Sequence, residues 1–183
     1  MAAARRALVS DAAPLEIVAC ASFRRTGVSR LHAVAASFRV GDPGAFVFTL
    51  EMAREALAGE AGRVLGVWTV AVAVPPHVAG ARNVPCERLI EALAPGLPGF
   101  RPLAGALARI ADAPEARGAA TRDPAAEAAT LRWDEAMIPA DADRILLVDD
   151  VVRTGSTIEA AALAAPPAVR SRLAALALFR AEG

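Results

Sequence analysis

Apolar and polar positions divide the chain into stretches of different period. Leu65 to Val74 is β-branched and nearly all apolar, Ile145 to Val148 is a run of aliphatic residues, and Leu173 to Phe179 repeats that character. Short apolar runs without polar alternation predict strands covered on both faces, as in a parallel sheet. Helical spacing appears between them. Phe48, Met52, Ala56 and Leu57 share one face of a predicted helix that stops near Gly59, Arg82 to Leu93 predicts a second helix closed by Pro95-Gly96, and Ser156 to Ala165 a third. Phe100 to Ile110 predicts another strand, against the helical preference of its alanines. Leu8 to Phe48 is mixed. Its apolar stretches, such as Leu15 to Ala19, break at Arg24-Arg25-Thr26-Gly27 and Gly41-Asp42-Pro43-Gly44, which predicts small strands and a short helix. Strands alternating with helices imply an α/β fold with a mostly parallel sheet flanked by helices.

One stretch lacks any such pattern. Ala111 to Ala129 holds Ala, Asp, Glu, Arg and Pro with no large apolar residue, and predicts a mobile loop or frayed helix with nothing to anchor it.

Composition narrows the classes. A chain of 183 residues with 55% hydrophobic content supports one core and a single domain. Twenty acidic residues balance twenty basic ones, so no broad field draws in nucleic acid or an anionic membrane, and direct nucleic-acid binding is not expected. Every basic residue is Arg. A phosphate clamp must therefore use guanidinium forks, and Schiff-base chemistry through Lys is excluded. Cys20 and Cys86 lie far apart, without zinc-ribbon spacing, and are expected to be reduced structural thiols. The N-terminus shows no signal peptide, and the longest apolar run, Val64 to Pro76, is too short to span a bilayer. The expectation is a soluble cytoplasmic protein without a membrane partner; homodimer formation stays open.

The chemistry concentrates in Ile145-Leu146-Leu147-Val148-Asp149-Asp150-Val151-Val152-Arg153-Thr154-Gly155-Ser156-Thr157. A buried strand ends in two adjacent carboxylates, and a loop of small hydroxyl residues and glycine then opens a helix. Unpaired N–H groups at a helix start carry roughly half a positive charge and suit a phosphate. Thr154, Ser156 and Thr157 add hydroxyl donors, and Gly155 lets the backbone come close. Asp149 and Asp150 cannot serve that anion; they suit vicinal hydroxyls, as on a ribose, or Mg²⁺ held through water. An ordinary strand followed by a capped helix is the plain alternative. A receiver domain, suggested by Ile145 to Asp150, is excluded by position, since only 33 residues follow Asp150 and no Lys exists.

This segment resembles the phosphoribosyl pyrophosphate motif of type I phosphoribosyltransferases, where a hydrophobic strand, two acids and a T-x-G-x-T-like loop follow one another. The resemblance implies that Asp149 and Asp150 hold the ribose hydroxyls and Mg²⁺ and that the loop from Val152 through Arg153 to Thr157 wraps the 5-phosphate. It extends to the ComF-like, amidophosphoribosyltransferase-related proteins of bacterial DNA uptake. Ser37-Phe38-Arg39-Val40-Gly41-Asp42 is similar to their K-F-x-G-D segment with Ser for Lys, and Val74-Pro75-Pro76-His77 to their V-P-x-H pyrophosphate loop. Asn83 corresponds to the Asn of their F-N-Q-A segment. Arg109 begins an R-x-x-x-T-x-x-Q stretch in which Ala113 and Ala116 replace Thr and Gln. Their N-terminal zinc ribbon is missing, and Arg153 stands where 6-oxopurine enzymes carry an Asp base, which argues against hypoxanthine or guanine as acceptor.

The implied organisation is a type I phosphoribosyltransferase-like core from about residue 48 to 183, a small hood-like region over about residues 1–47, and a mobile loop at 111–129. Pro76 and His77 would line the pyrophosphate site, and Arg117 and Arg122 would close over it from the loop. For His77 a surface turn is an equal alternative, and for the two arginines a solvated loop charge is. His32 is expected to be a partly buried structural residue, Trp68 to be core, and Trp133 stays open as a base-stacking platform. Two functions from different classes follow: a phosphoribosyltransferase of unknown acceptor using phosphoribosyl pyrophosphate and Mg²⁺, or a non-catalytic nucleotide or phosphoribosyl pyrophosphate sensor or adaptor in DNA uptake.

Overall fold

The computed structural model describes residues 5–7, 15–24, 29–66, 69–97, 99–114 and 123–182, without the side chains of residues 5–7 and 24. Along the chain run β1 (Arg5–Ala7), β2 (Leu15–Arg24), α1 (Arg30–Arg39), α2 (Pro43–Ala58), α3 (Glu60–Leu65), β3 (Val70–Ala73), α4 (Val84–Leu93), β4 (Arg101–Pro102), β5 (Leu107–Arg109), α5 (Pro124–Ala128), β6 (Leu131–Trp133), β7 (Ile145–Val152), α6 (Ser156–Ala164), α7 (Pro167–Arg170) and β8 (Leu173–Glu182). The main sheet has the order β1-β2-β8-β7-β3-β4, and β5 and β6 form a separate antiparallel pair. Only β1 runs antiparallel in the main sheet, so five strands are parallel and helices flank them.

β7 lies near the middle because its residues are apolar on both sides. Ile145 and Leu147 face a cluster with Trp133 of β6 and Ile158 of α6. Leu146 and Val148 face the other, with Phe38 of α1 and Leu89 of α4. All four are essentially buried, so truncating Leu147 to Ala is expected to cost about 2–5 kcal/mol. The two clusters also put α4, which follows β3, and α6, which follows β7, on opposite faces. The chain thus leaves two neighbouring strands in opposite directions, and a crevice opens between their carboxyl ends.

Several elements depart from expectation. The expected helix at Phe48 begins at Pro43, where Asp42 accepts from the Ala45 N–H at 2.8 Å and proline fits the first helical position. Its buried side is Ala45, Thr49 and Ala53, while Phe48 is 44% exposed. The expected strand from Leu65 does not start until Val70, because Leu65 closes α3. Phe100 to Ile110 is not one strand: a turn at Ala104-Gly105, with Gly105 at φ 83°, divides β4 from β5. β2, within the stretch of about residues 1–47, pairs in parallel with β8 from Ile17 to Arg24.

The segment 111–129 is corrected in part. Residues 123–129 are anchored after all: Asp123 caps α5 by accepting from the Ala125 N–H at 3.0 Å, and Glu127 is fully buried. The anchor is an ion pair, which a search for apolar residues misses. Arg117 and Arg122 lie outside the described residues, as does Trp68. Trp133 is 7% exposed and donates to the Ala161 carbonyl at 2.9 Å, so it packs against α6 and offers no stacking platform. No helix among the described residues is long and apolar enough to cross a membrane.

Candidate functional site

Pairing between β3 and β7 stops at Ala73 opposite Val148, while β7 stays paired with β8 as far as Val152 opposite Arg180. Asp149 and Asp150 are therefore the first β7 residues beyond the β3 register, at the mouth of the crevice. Past Val152 the chain turns through Arg153 and Thr154 to Gly155, whose φ of 89° is left-handed. A Cβ there would stand 3.2 Å from Ile17 Cδ1, so both backbone and space call for glycine.

Ser156 opens α6, and the first helical bond runs from the Glu159 N–H to the Gly155 carbonyl at 2.9 Å. The preceding N–H groups have no intrahelical acceptor. Gly155 brings no capping side chain, and the Ser156 N–H donates a long hydrogen bond to Thr154 Oγ1 at 3.4 Å. The loop stays open. It borders a cavity of about 490 Å³ whose far side is made by Phe23 of β2 and by His32, Ala35, Ala36 and Arg39 of α1.

A second cavity of about 340 Å³ continues past the acid pair to Pro75, Pro76, His77, Arg82 and Asn83. The two share Arg39, His77, Asp149, Val151 and Thr157, and form two lobes of one cleft meeting at the acids. Asn83 links this lobe to the scaffold: it caps α4 by accepting from the Cys86 N–H and donates to the Val74 carbonyl at 3.1 Å.

The loop at Pro76 and His77 is held from below. Arg109 Nε donates to the Pro76 carbonyl, the Ala113 N–H donates to the His77 carbonyl at 2.8 Å, and Glu127 Oε1 lies 3.7 Å from His77 Nδ1. Arg109 in turn donates to Glu127 at 3.0 Å, with neither side chain exposed. Burial pushes the Glu127 carboxyl up, but contact with His77 and the charge of Arg109 outweigh it and hold the group below its usual range.

The acids differ in environment. Asp149 is 9% exposed and accepts from the Asp150 N–H at 2.9 Å. Burial, and then the charge of Asp150, push its carboxyl well above the usual carboxylate range. Asp150 meets Arg39, whose Nε and Nη2 each donate to a different carboxylate oxygen, the latter at 3.0 Å. These hydrogen bonds raise the Arg39 pKa and keep the guanidinium charged.

The expected site residues on β7, in the phosphate loop and at Pro76 and His77 thus come together in one cleft. Val152 is the exception in kind: its side chain is 5% exposed and belongs to the core, although it borders the cavity. Mg²⁺, implied by the resemblance, finds a poor fit. Both oxygens of Asp150 are occupied by Arg39, and no group of three or more His, Cys, Asp or Glu that could hold a metal gathers among the described residues.

Sequence reasoning missed Arg39 and His32. Arg39 stood inside the Ser37 to Asp42 segment without an assigned role, and only the packing of α1 over β7 brings it to the acids. His32, expected to be partly buried, is exposed, stacks on Phe23 with centroids 5.3 Å apart and lines the cleft. Cys20 and Cys86 are free thiols outside the cleft. No family model and no curated protein matches the chain.

Proposed function

We propose that the cleft binds a ribose 5-phosphate moiety and that the chain is a phosphoribosyltransferase acting on phosphoribosyl pyrophosphate, its acceptor unassigned. The observation that carries this reading is the start of α6, where the N-cap Gly155 offers no side chain, open to a lobe lined by Asp149 and joined to a second lobe lined by both acids. The N–H groups there and the hydroxyls of Thr154, Ser156 and Thr157 suit the 5-phosphate. The acid pair suits the ribose hydroxyls, and the lobe at Pro76 and His77 has room for a leaving pyrophosphate, with Arg82 at its edge, where it is forked onto Glu87. Such a reaction breaks the bond from ribose C1 to pyrophosphate through an oxocarbenium-like state, and the protein contributes mainly position and charge.

A second reading, a non-catalytic nucleotide or phosphoribosyl pyrophosphate sensor or adaptor, is favoured by one observation. Arg39 occupies a carboxylate that a transferase would keep for ribose and metal. Calorimetry with phosphoribosyl pyrophosphate and ribose 5-phosphate, beside a pyrophosphate-release assay over a panel of bases and amines, tests both. Binding with release supports the transferase. Binding without release moves the assignment to the sensor, and no heat of binding from either ligand ends both readings. Thr154→Ala with Thr157→Ala is expected to weaken the 5-phosphate compounds about tenfold or more and to leave a plain nucleoside unaffected.

A further inference from the structure

The proposed binding mode gives Asp150 a role in the cleft but none to Arg39, the cation paired with it. Arg39 and Asp150 lie 111 positions apart in sequence, and two guanidinium nitrogens face the two carboxylate oxygens. Asp150 Oδ1 also accepts from the Val151 N–H at 2.6 Å. Three of roughly four acceptor positions of the carboxylate are thereby filled. The Asp150 side chain is 14% exposed and that of Arg39 53%, so the guanidinium lies between the acid and the water of the cleft. Arg39 borders both lobes, and its third nitrogen, Nη1, makes no contact with Asp150.

A divalent ion reaching Asp150 would have to displace a forked, charge-assisted pair and then stand beside the displaced cation. We propose that Arg39 is the resident cation of this cleft, standing at the acid pair in place of Mg²⁺, so that ribose 5-phosphate compounds bind without a divalent ion. Its planar fork suits the role better than an ammonium, because two N–H groups can hold Asp150 while the outer ones address the ligand's oxygens. The inference rests on the ribose 5-phosphate reading for its ligand, but the place of Arg39 can be tested without one.

Mn²⁺, as a probe for Mg²⁺, would be titrated into ligand-free protein and the free ion followed by electron paramagnetic resonance. Wild type and Arg39→Lys are expected to bind it at least tenfold more weakly than Arg39→Gln, in which the cation is gone. Mn²⁺ binding as tight in wild type as in Arg39→Gln overturns the proposal. In parallel, calorimetry with ribose 5-phosphate is expected to give wild-type affinities within about twofold in EDTA and in excess Mg²⁺, an arm that needs no variant to fold. A tenfold loss in EDTA also overturns it. Absence of ribose 5-phosphate binding in every buffer refutes the proposed function instead, and the Mn²⁺ titration still decides whether Arg39 holds the cation's place.

Discussion

Arg109 and Glu127 meet at 3.0 Å with neither side chain exposed, Arg109 donating to the Pro76 carbonyl and Glu127 lying 3.7 Å from His77 Nδ1. Arg109 also bonds Thr130 Oγ1, so the pair ties β5, α5 and the turn before β6 into one support. Removing one partner strands the other charge in the interior. Arg109→Met and Glu127→Ala are each expected to cost about 3–5 kcal/mol in urea denaturation, and a well-packed apolar replacement of both to cost less than either. Single variants within about 1 kcal/mol of wild type would show that the pair does not hold the loop.

The same contact gives stability an acid limit. The folded Glu127 carboxyl titrates below its usual value, so its contribution is complete above the ordinary carboxylate range and is lost as pH falls through the folded value. Wild type should therefore lose its stability advantage over Glu127→Gln as pH is lowered from neutrality into the acid range. Thermal midpoints of the two proteins, compared across that range, should converge. A gap that widens on acidification contradicts the assignment.

Asp149 behaves in the opposite sense. Its carboxyl is pushed up by burial and by Asp150, so ionisation at neutral pH opposes folding. Asp149→Asn keeps an oxygen for the Asp150 N–H and removes the charge. It is expected to stabilise the fold by about 0.5–2 kcal/mol while weakening ribose 5-phosphate compounds about tenfold. Differential scanning calorimetry and binding on one preparation would read both, and a variant less stable than wild type at neutral pH would refute the prediction.

Gly155 combines a left-handed backbone with a close neighbour, Ile17 Cδ1. Gly155→Ala should cost about 1–2 kcal/mol from the backbone alone. It should also misplace the N–H groups at the start of α6, lowering affinity for inorganic phosphate and ribose 5-phosphate. Ile17→Val, which relieves the contact, should recover part of the loss only if the crowding matters. Unchanged stability and phosphate affinity in Gly155→Ala would remove the loop from the site.

The sequence by itself located the apolar start of β7 at Ile145 to Val148, the acid pair and the opening of α6, because one continuous segment carries the apolar run, the carboxylates and the glycine turn; it did not show that β7 continues through both acids to Val152, where pairing with β8 holds it extended. It also identified the parallel α/β class, since strands buried on both faces carry unbroken apolar runs, as Val70 to Ala73 and Ile145 to Val148 do. It did not determine what stands opposite that segment. Arg39 reaches Asp150 across 111 residues because β2 joins the main sheet beside β8 and α1 then folds over the cleft. Glu127 was hidden for a different reason: a segment without large apolar residues reads as unanchored, yet a buried ion pair to Arg109 fixes it. Local pattern reports hydrophobic period and turn chemistry, whereas charge pairing between distant segments depends on which side chains the packed helices and sheet bring within hydrogen-bonding distance, and only the tertiary structure decided that.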